Sequence, residues 1–288
     1  KLVRQMRQHS VKLERTVEQK TAELSLAVRE LSRRNETITG EMMMAQRVQR
    51  NIIPKEDSFP RTPSLRFGAA YQAMTNVGGD LYDIIDLGEG RYGFLMVDVS
   101  GHGMPAAMIT SMLKVSFAAN SRGGLSTAEI CDRVDREIYA LIGDLEYYAT
   151  AYYCILDTAT GGLEFTNCGH HAAVLYRNAS RTVEMLDTTG SVLGSFRNNA
   201  GHGRDRVTLD EGDRLLLYTD GVIETRNPED EFYDHDRLFA WIRGKSGLAP
   251  ADFVGGLVTE IEAFAAGRPA ADDKAVLYVE FVKRAAQA

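Results

Sequence analysis

Residues 92–103 read YGFLMVDVSGHG, and this stretch decides the fold. Segment 92–99 is almost entirely apolar, which predicts a β-strand that is buried on both faces of a sheet. Asp98 lies at the end of this strand, directly before a loop rich in glycine. A lone carboxylate at the end of a buried strand costs several kcal/mol unless it is paired or bound to a metal. The stretch therefore predicts a core strand that ends in a structurally or chemically important carboxylate.

Working outward from this strand, the sequence alternates between hairpins of strands and pairs of helices. Predicted strands lie at 66–71, 92–99, 148–156, 163–168, 172–176, 214–218 and 275–282, and predicted helices at 104–120, 126–142, 236–245 and 250–266. Pro105 falls where a first helical turn tolerates it, and Ser126 with Glu129 forms a capping box. This order predicts an α+β fold of antiparallel sheets covered by helices, rather than a regular βαβ array.

The N-terminal segment 1–45 differs in its residue pattern, which predicts a long helix. Heptad positions a and d fall on Val3, Met6, Ser10, Leu13, Val17, Lys20, Leu24, Ala27, Leu31, Arg34, Ile38 and Glu41. Eight of these twelve are apolar, which favours a weak two-stranded coiled coil and therefore a homodimer. The alternative is a single amphipathic helix packed on its own domain. Pro54 ends the helix, so we expect a stalk at 1–45 and a second domain at 46–288 that includes its own N-terminal switch helix.

Composition limits the class of partner. The formal net charge of -7 argues against nucleic acid, because a phosphate backbone favours a basic surface. Three cysteines without C-x-x-C spacing argue against a disulfide framework and favour a reducing, cytoplasmic location. No apolar run reaches the roughly 20 residues that a membrane-spanning helix needs. Membrane attachment is therefore expected only through a segment upstream of this sequence.

Aspartates recur where predicted strands end or begin. Asp80 follows two glycines, Asp98 and Asp220 each end an apolar strand, and Asp272 with Asp273 opens the last strand. Converging carboxylates without basic partners bind hard cations such as Mg²⁺ or Mn²⁺. Each position also has a structural explanation: a turn at Asp220, or a loop ending in a helix cap at Asp80. The combination favours a metal site.

Four motifs in this order resemble the PPM metal-dependent protein phosphatases. They are VGGDLYD at 77–83, DVSGHG at 98–103, YTDGVIE at 218–224 and the acidic pair at 272–273. The bacterial branch that controls sigma factors in sporulation and the general stress response is the most similar. The segment 45–54, AQRVQRNIIP, also resembles the helix that precedes the domain in that branch.

The resemblance implies two antiparallel sheets stacked between helix layers, an α-β-β-α sandwich, and two divalent ions, manganese or magnesium. The implied metal ligands are Asp80, Asp98, the Val99 carbonyl, Asp220 and Asp272, with Asp273 as the fallback for Asp272. Asp80 would bridge the two ions, and Asp80 and Asp98 are the implied catalytic residues. The implied reaction is attack of a metal-activated water on phosphoserine or phosphothreonine. The expected substrate is a regulatory phosphoprotein, an anti-sigma-factor antagonist, and the stalk would control turnover.

Two departures from the family pattern leave an alternative open. Lys274 and Ala275 follow the acidic pair, where the family usually has an aliphatic residue and then Thr or Ser. After the Asn-x-Gly-His at 167–170, His171 stands where the branch often continues with Asn-Pro-Pro. The alternative is a weak or inactive phosphatase-like domain that serves as a partner-binding regulatory module. His102, His170 and His171 themselves favour loop or core roles.

Overall fold

The computed structural model describes residues 2–195 and 201–282. Its helices are α1 (Leu2–Ile52), α2 (Met104–Asn120), α3 (Thr127–Ile142), α4 (Asp220–Ile223), α5 (Asp234–Lys245) and α6 (Pro250–Ala265). Its strands are β1 (Leu65–Gln72), β2 (Asp80–Gly88), β3 (Arg91–Val99), β4 (Ala149–Asp157), β5 (Gly162–Cys168), β6 (Ala173–Arg177), β7 (Thr182–Leu186), β8 (Asp205–Thr208), β9 (Arg214–Tyr218) and β10 (Lys274–Phe281).

The strands form two five-stranded sheets, with orders β1-β10-β9-β6-β7 and β2-β3-β4-β5-β8. Neighbouring strands pair antiparallel throughout both sheets. Apolar side chains from both sheets form one shared core, α2 and α3 cover the second sheet, and α5 and α6 pack on the first. The prediction of an α+β fold with two stacked antiparallel sheets and flanking helices is confirmed.

The sequence signals that located individual elements act as predicted. In β3, the segment Phe94–Val97 is fully buried because this central strand is covered on both faces. Helix α2 begins with proline in its first turn. The capping box of α3 forms, with the Ser126 hydroxyl accepting from the Glu129 amide and the Glu129 carboxylate from the Ser126 amide. These local signals were reliable because they depend on neighbours in the sequence.

Strands β2, β7 and β8 were not predicted. In β2, aspartates at positions 80, 83 and 86 break the apolar alternation by which strands are recognised. Most of the strand is nevertheless buried, and its buried Asp83 is compensated by an ion pair with Lys114 of α2, with 2.6 Å between carboxylate and ammonium. The helix-cap alternative for Asp80 is wrong, since Asp80 opens this strand.

The chain divides into two compact units, Lys1–Arg47 and Val48–Ala288. Helix α1 ends at Ile52, two residues before Pro54, as predicted. Along the first unit, the apolar side chains at the described heptad positions are exposed: Val3, Met6, Leu13, Val17, Leu24, Leu31 and Ile38. Among the described helices, none is both long and apolar enough to span a membrane.

Candidate metal centre

Four elements bring the predicted aspartates to one edge of the two sheets. Asp80 is the first residue of β2 and pairs in register with Asp98 near the end of β3. Asp220 begins α4 directly after β9, and Asp272 lies just before β10. The end of β9 pairs with the start of β10, and β10 contacts β2 of the other sheet. All four residues therefore lie at the same end of the sandwich.

The electrostatics of this cluster are those of crowded carboxylates, of which Asp80 is buried, Asp98 and Asp220 are half-buried and Asp272 lies at the exposed rim. Burial raises the pKa of Asp80 well above its usual range, and the Asp98 carboxylate raises it further. Burial, with Asp220, Asp272 and Asp273 nearby, raises the pKa of Asp98 to about 7. Partial desolvation also raises the pKa of Asp220 and of Asp272. In the described part of the chain, none of these five aspartates takes part in an ion pair.

This donor set fits a divalent cation. Mutually repelling oxygen ligands that form no ion pair in the described residues are the chemistry that Mg²⁺ and Mn²⁺ prefer. Within residues 2–195 and 201–282, no three acidic, His or Cys side chains are already gathered as a complete metal cage.

Asp273 differs from the other aspartates, because each of its carboxylate oxygens accepts a hydrogen bond from a backbone amide. Its Oδ1 accepts from the Met74 amide and its Oδ2 from the Gly79 amide, both at 2.6 Å. A Cβ at Gly78 would lie only 2.2 Å from Asp273 Oδ2, so the close approach requires glycine there. Asp273 is buried and anchors the loop that carries the glycines of the first motif, whereas Asp272 is exposed.

The Val99 backbone also lies against this loop. The Val99 amide donates to the Gly79 carbonyl at 3.2 Å. A Cβ at Gly79 would lie 2.6 Å from the Val99 carbonyl oxygen. Glycine at position 79 is therefore what allows the end of β3 and the start of β2 to approach so closely.

Two polar side chains at the site lie in segments that resemble the family, but the sequence gives them no role. The Thr219 hydroxyl donates to Asp80 Oδ2 at 2.6 Å and accepts from the Ala275 amide at 2.9 Å. The Gln49 amide group pairs with the Gly78 backbone in both directions, at 2.6 and 3.0 Å. These partners are separated by 139 and 29 residues, so no local spacing could have revealed them.

The three candidate histidines occupy different surroundings. His102 is exposed on the loop after β3. His170 is held between the Thr150 hydroxyl at 2.7 Å and the Tyr218 carbonyl at 3.0 Å. Burial lowers the pKa of His170 to about 3, so it stays neutral at physiological pH. His171 stacks on the Tyr218 ring. The surroundings of His170 match the core role that the sequence favours.

Comparisons with known proteins agree with this fold. The family model for Stage II sporulation protein E (SpoIIE) matches residues 88–282. Phosphoserine phosphatase RsbP of Bacillus subtilis (strain 168) is 31% identical over 187 residues, which cover 64% of this chain and 45% of RsbP. The SiaA-PP2C domain of Pseudomonas aeruginosa is similar with a TM-score of 0.74 at 19% identity, covering 86% of this chain and 98% of that domain. The catalytic domain of protein phosphatase PstP, solved with two manganese ions, has a TM-score of 0.56 at 15% identity, covering 76% of this chain and 99% of that domain.

The two-sheet sandwich has the fold of these PP2C and protein phosphatase domains. Because the family model matches more than half of the sequence, the chain belongs to the SpoIIE family. The chain spans only 45% of the length of RsbP.

Proposed function

We propose that this protein is a metal-dependent serine/threonine phosphatase that acts on a regulatory phosphoprotein, an anti-sigma-factor antagonist. The observation that carries the proposal is the set of four aspartates at one edge of the sandwich, with no ion pair to any of them in the described residues. The similarity to phosphoserine phosphatase RsbP supports the same activity.

In this proposal Asp80, Asp98, Asp220 and Asp272 hold two manganese or magnesium ions, with the Val99 carbonyl assisting. When bound, such ions lower the pKa of a water nucleophile and neutralise charge on the phosphoryl oxygens. We assign Asp272 rather than Asp273 as the ligand, because both Asp273 oxygens already accept backbone amides.

The other residues of the site position these ligands. Thr219 fixes one oxygen of Asp80. Asp273 and Gln49 hold the loop that precedes Asp80 from two sides, through the Gly79 and Gly78 backbones. Such supporting contacts orient metal ligands and tune their affinity.

The alternative is a weak or inactive domain that binds a regulatory partner, and Lys274 is the observation in its favour. Lys274 stands at the edge of the acidic cluster, and burial lowers the pKa of its ammonium group. A cation there weakens metal binding through repulsion. The two proposals differ in whether manganese supports turnover.

Hydrolysis of p-nitrophenyl phosphate with manganese, magnesium or a chelator tests the proposed function. We expect turnover with either ion and none with the chelator. We also expect millimolar manganese to raise the melting temperature, because binding to the folded state relieves carboxylate repulsion. Asp80→Ala should lose most of that shift, whereas Asp57→Ala, at an exposed aspartate outside the cluster, should keep it. An unchanged melting temperature and no turnover would favour the inactive module.

The exposed heptad residues of α1 support a second proposal, that the chain pairs as a homodimer through residues 1–45. We expect a dimer by light scattering, and a monomer after removal of these residues. Turnover of a phosphoprotein should then change at least several-fold, because α1 continues to Ile52 without a break and includes Gln49. If the chain with residues 1–45 is a monomer and turns over at the same rate as the truncated chain, the helix acts only as a spacer.

A further inference from the structure

A groove runs beside the aspartate cluster, between α6 and the ends of β1 and β10. It comprises two adjoining cavities of about 390 and 270 Å³, which share Gln72, Ile261, Glu262 and Lys274 in their walls. Gln72 ends β1 and pairs in register with Lys274, which begins β10. We call this feature the α6 groove. It opens at the same edge of the sheet as the candidate metal centre, since Ala271 in its wall directly precedes Asp272.

The two ends of the α6 groove differ in chemistry. The smaller cavity is mostly apolar, with Ala70, Val222, Val258 and Val276 in its wall. The larger cavity is charged, with three cationic side chains, Arg226, Arg268 and Lys274, against two acidic ones, Asp230 and Glu262. This local excess of positive charge stands out in a protein whose net charge is -7.

The arginines of the charged end are already held in place. Arg226 and Arg268 contact opposite oxygens of Asp230, at 2.7 and 2.8 Å. Arg226 also lies over the Phe232 ring, and Arg268 donates to the Asn227 carbonyl. Both arginine side chains remain about 40% exposed. The single carboxylate of Asp230 therefore pairs with two preorganised guanidinium groups. Their remaining donors can bind a second carboxylate, from a ligand.

We propose that the α6 groove binds an acidic stretch of the substrate polypeptide that flanks its phosphorylated residue. This inference rests on the proposed phosphatase function and names the class of substrate. A chain whose phosphoserine lies at the aspartates reaches the groove by crossing Ala271. Its acidic side chains then meet Arg226 and Arg268, and an apolar side chain fits the cavity beyond Lys274. The groove would therefore select acidic substrates although the catalytic edge itself is acidic.

Fluorescent phosphoserine peptides of equal length provide the test. One carries aspartates after the phosphoserine, a second carries them before it, and a third carries lysines on both sides. We expect one acidic peptide to exceed the lysine peptide about tenfold in kcat/KM, and the preference to shrink with added salt. The double variant Arg226→Gln/Arg268→Gln should abolish the preference through KM, with p-nitrophenyl phosphate hydrolysis unchanged.

Two further variants separate charge recognition from damage to the fold. Asp230→Asn frees both arginines from their ion pairs and should strengthen the preference for acidic peptides. This is the opposite of the effect expected when the two arginines are replaced. Asparagine tolerates the left-handed backbone at this position, where φ is 70°. Arg66→Gln removes an exposed arginine that also forms an ion pair, near the start of β1 and away from the groove, and should change nothing.

Binding of the same peptides with a chelator present, measured by fluorescence anisotropy, does not depend on turnover. Charge-selective binding without any hydrolysis would overturn the phosphatase proposal and keep the groove. Equal binding and equal kcat/KM for acidic and lysine peptides would overturn the groove and leave the phosphatase proposal intact. A preference that persists in the double arginine variant would also overturn it.

Discussion

Asp98→Asn should reduce phosphatase turnover by at least about 100-fold while leaving the fold intact. The side chain keeps its shape but loses the negative charge that a divalent ion requires. Rates with manganese on a phosphoserine peptide measure the loss, and circular dichroism checks the fold. Asp86→Asn is the matched control, because Asp86 is an exposed aspartate on β2. Turnover near the wild-type rate would exclude Asp98 as a ligand.

The same variant should change how the stability of the metal-free protein depends on pH. Burial and neighbouring aspartates raise the pKa of Asp98 to about 7, against about 3.9 in an unfolded chain. The folded state therefore binds this proton more tightly, and its contribution to stability grows as pH falls from 8 through 7. Asp98→Asn should melt at a higher temperature than wild type at pH 8 without metal, and the difference should shrink towards pH 6.

The pH dependence is compared between wild type and Asp98→Asn, because His170 changes the stability of both proteins with pH in the opposite direction to Asp98. Its pKa is lowered to about 3 by burial, so the unfolded state gains protons below about pH 6.5 and stability falls there. Both proteins contain His170, so its titration cancels in the difference between their melting temperatures. That difference reports the Asp98 carboxyl group together with its electrostatic effect on Asp80. If the difference stays constant from pH 6 to pH 8, the carboxyl group does not titrate in this range.

The parts of the fold that the sequence predicted share one property, which is that their signals are local. Strand β3 is a continuous apolar run, α3 has a capping box, and Pro54 stops α1. Strand β2 was missed because its three aspartates break the apolar alternation, and the buried Asp83 is compensated by a distant residue, Lys114, rather than by a neighbour. Edge strand β8 was missed because it is short and mostly exposed, which removes the alternation of apolar residues.

The candidate site also contains residues that the sequence predicted and residues that it did not. The five aspartates could be proposed from the sequence, because they flank apolar strands and resemble family motifs. The different surroundings of Asp272 and Asp273 could not, because they depend on amides of residues about 200 positions away. In the sequence Thr219 is only one residue of the motif at 218–224, whereas in the structure its hydroxyl joins the two sheets. A contact between two sheets joins residues far apart in the chain, so it produces no periodic pattern in the sequence.

Thr219 is the residue outside the aspartates from which we expect the largest effect. A hydroxyl has one proton to donate, and Thr219 gives it to Asp80 while accepting the Ala275 amide. Its side chain is fully buried, so no water replaces either partner. The bond therefore holds one Asp80 oxygen as an acceptor in a fixed position, as supporting residues do for metal ligands.

Thr219→Val keeps the shape of the side chain and removes both hydrogen bonds. We expect the manganese concentration that gives half of the maximal melting-temperature shift to rise by about 10- to 100-fold. Thr219→Ser restores the hydroxyl and should restore most of the affinity. Thr166→Val is the control, because it removes a buried hydroxyl bonded to Thr127 and destabilises the domain without touching Asp80. If Thr219→Val and Thr166→Val lose stability equally and both keep the wild-type manganese response, Thr219 serves only the packing of the two sheets.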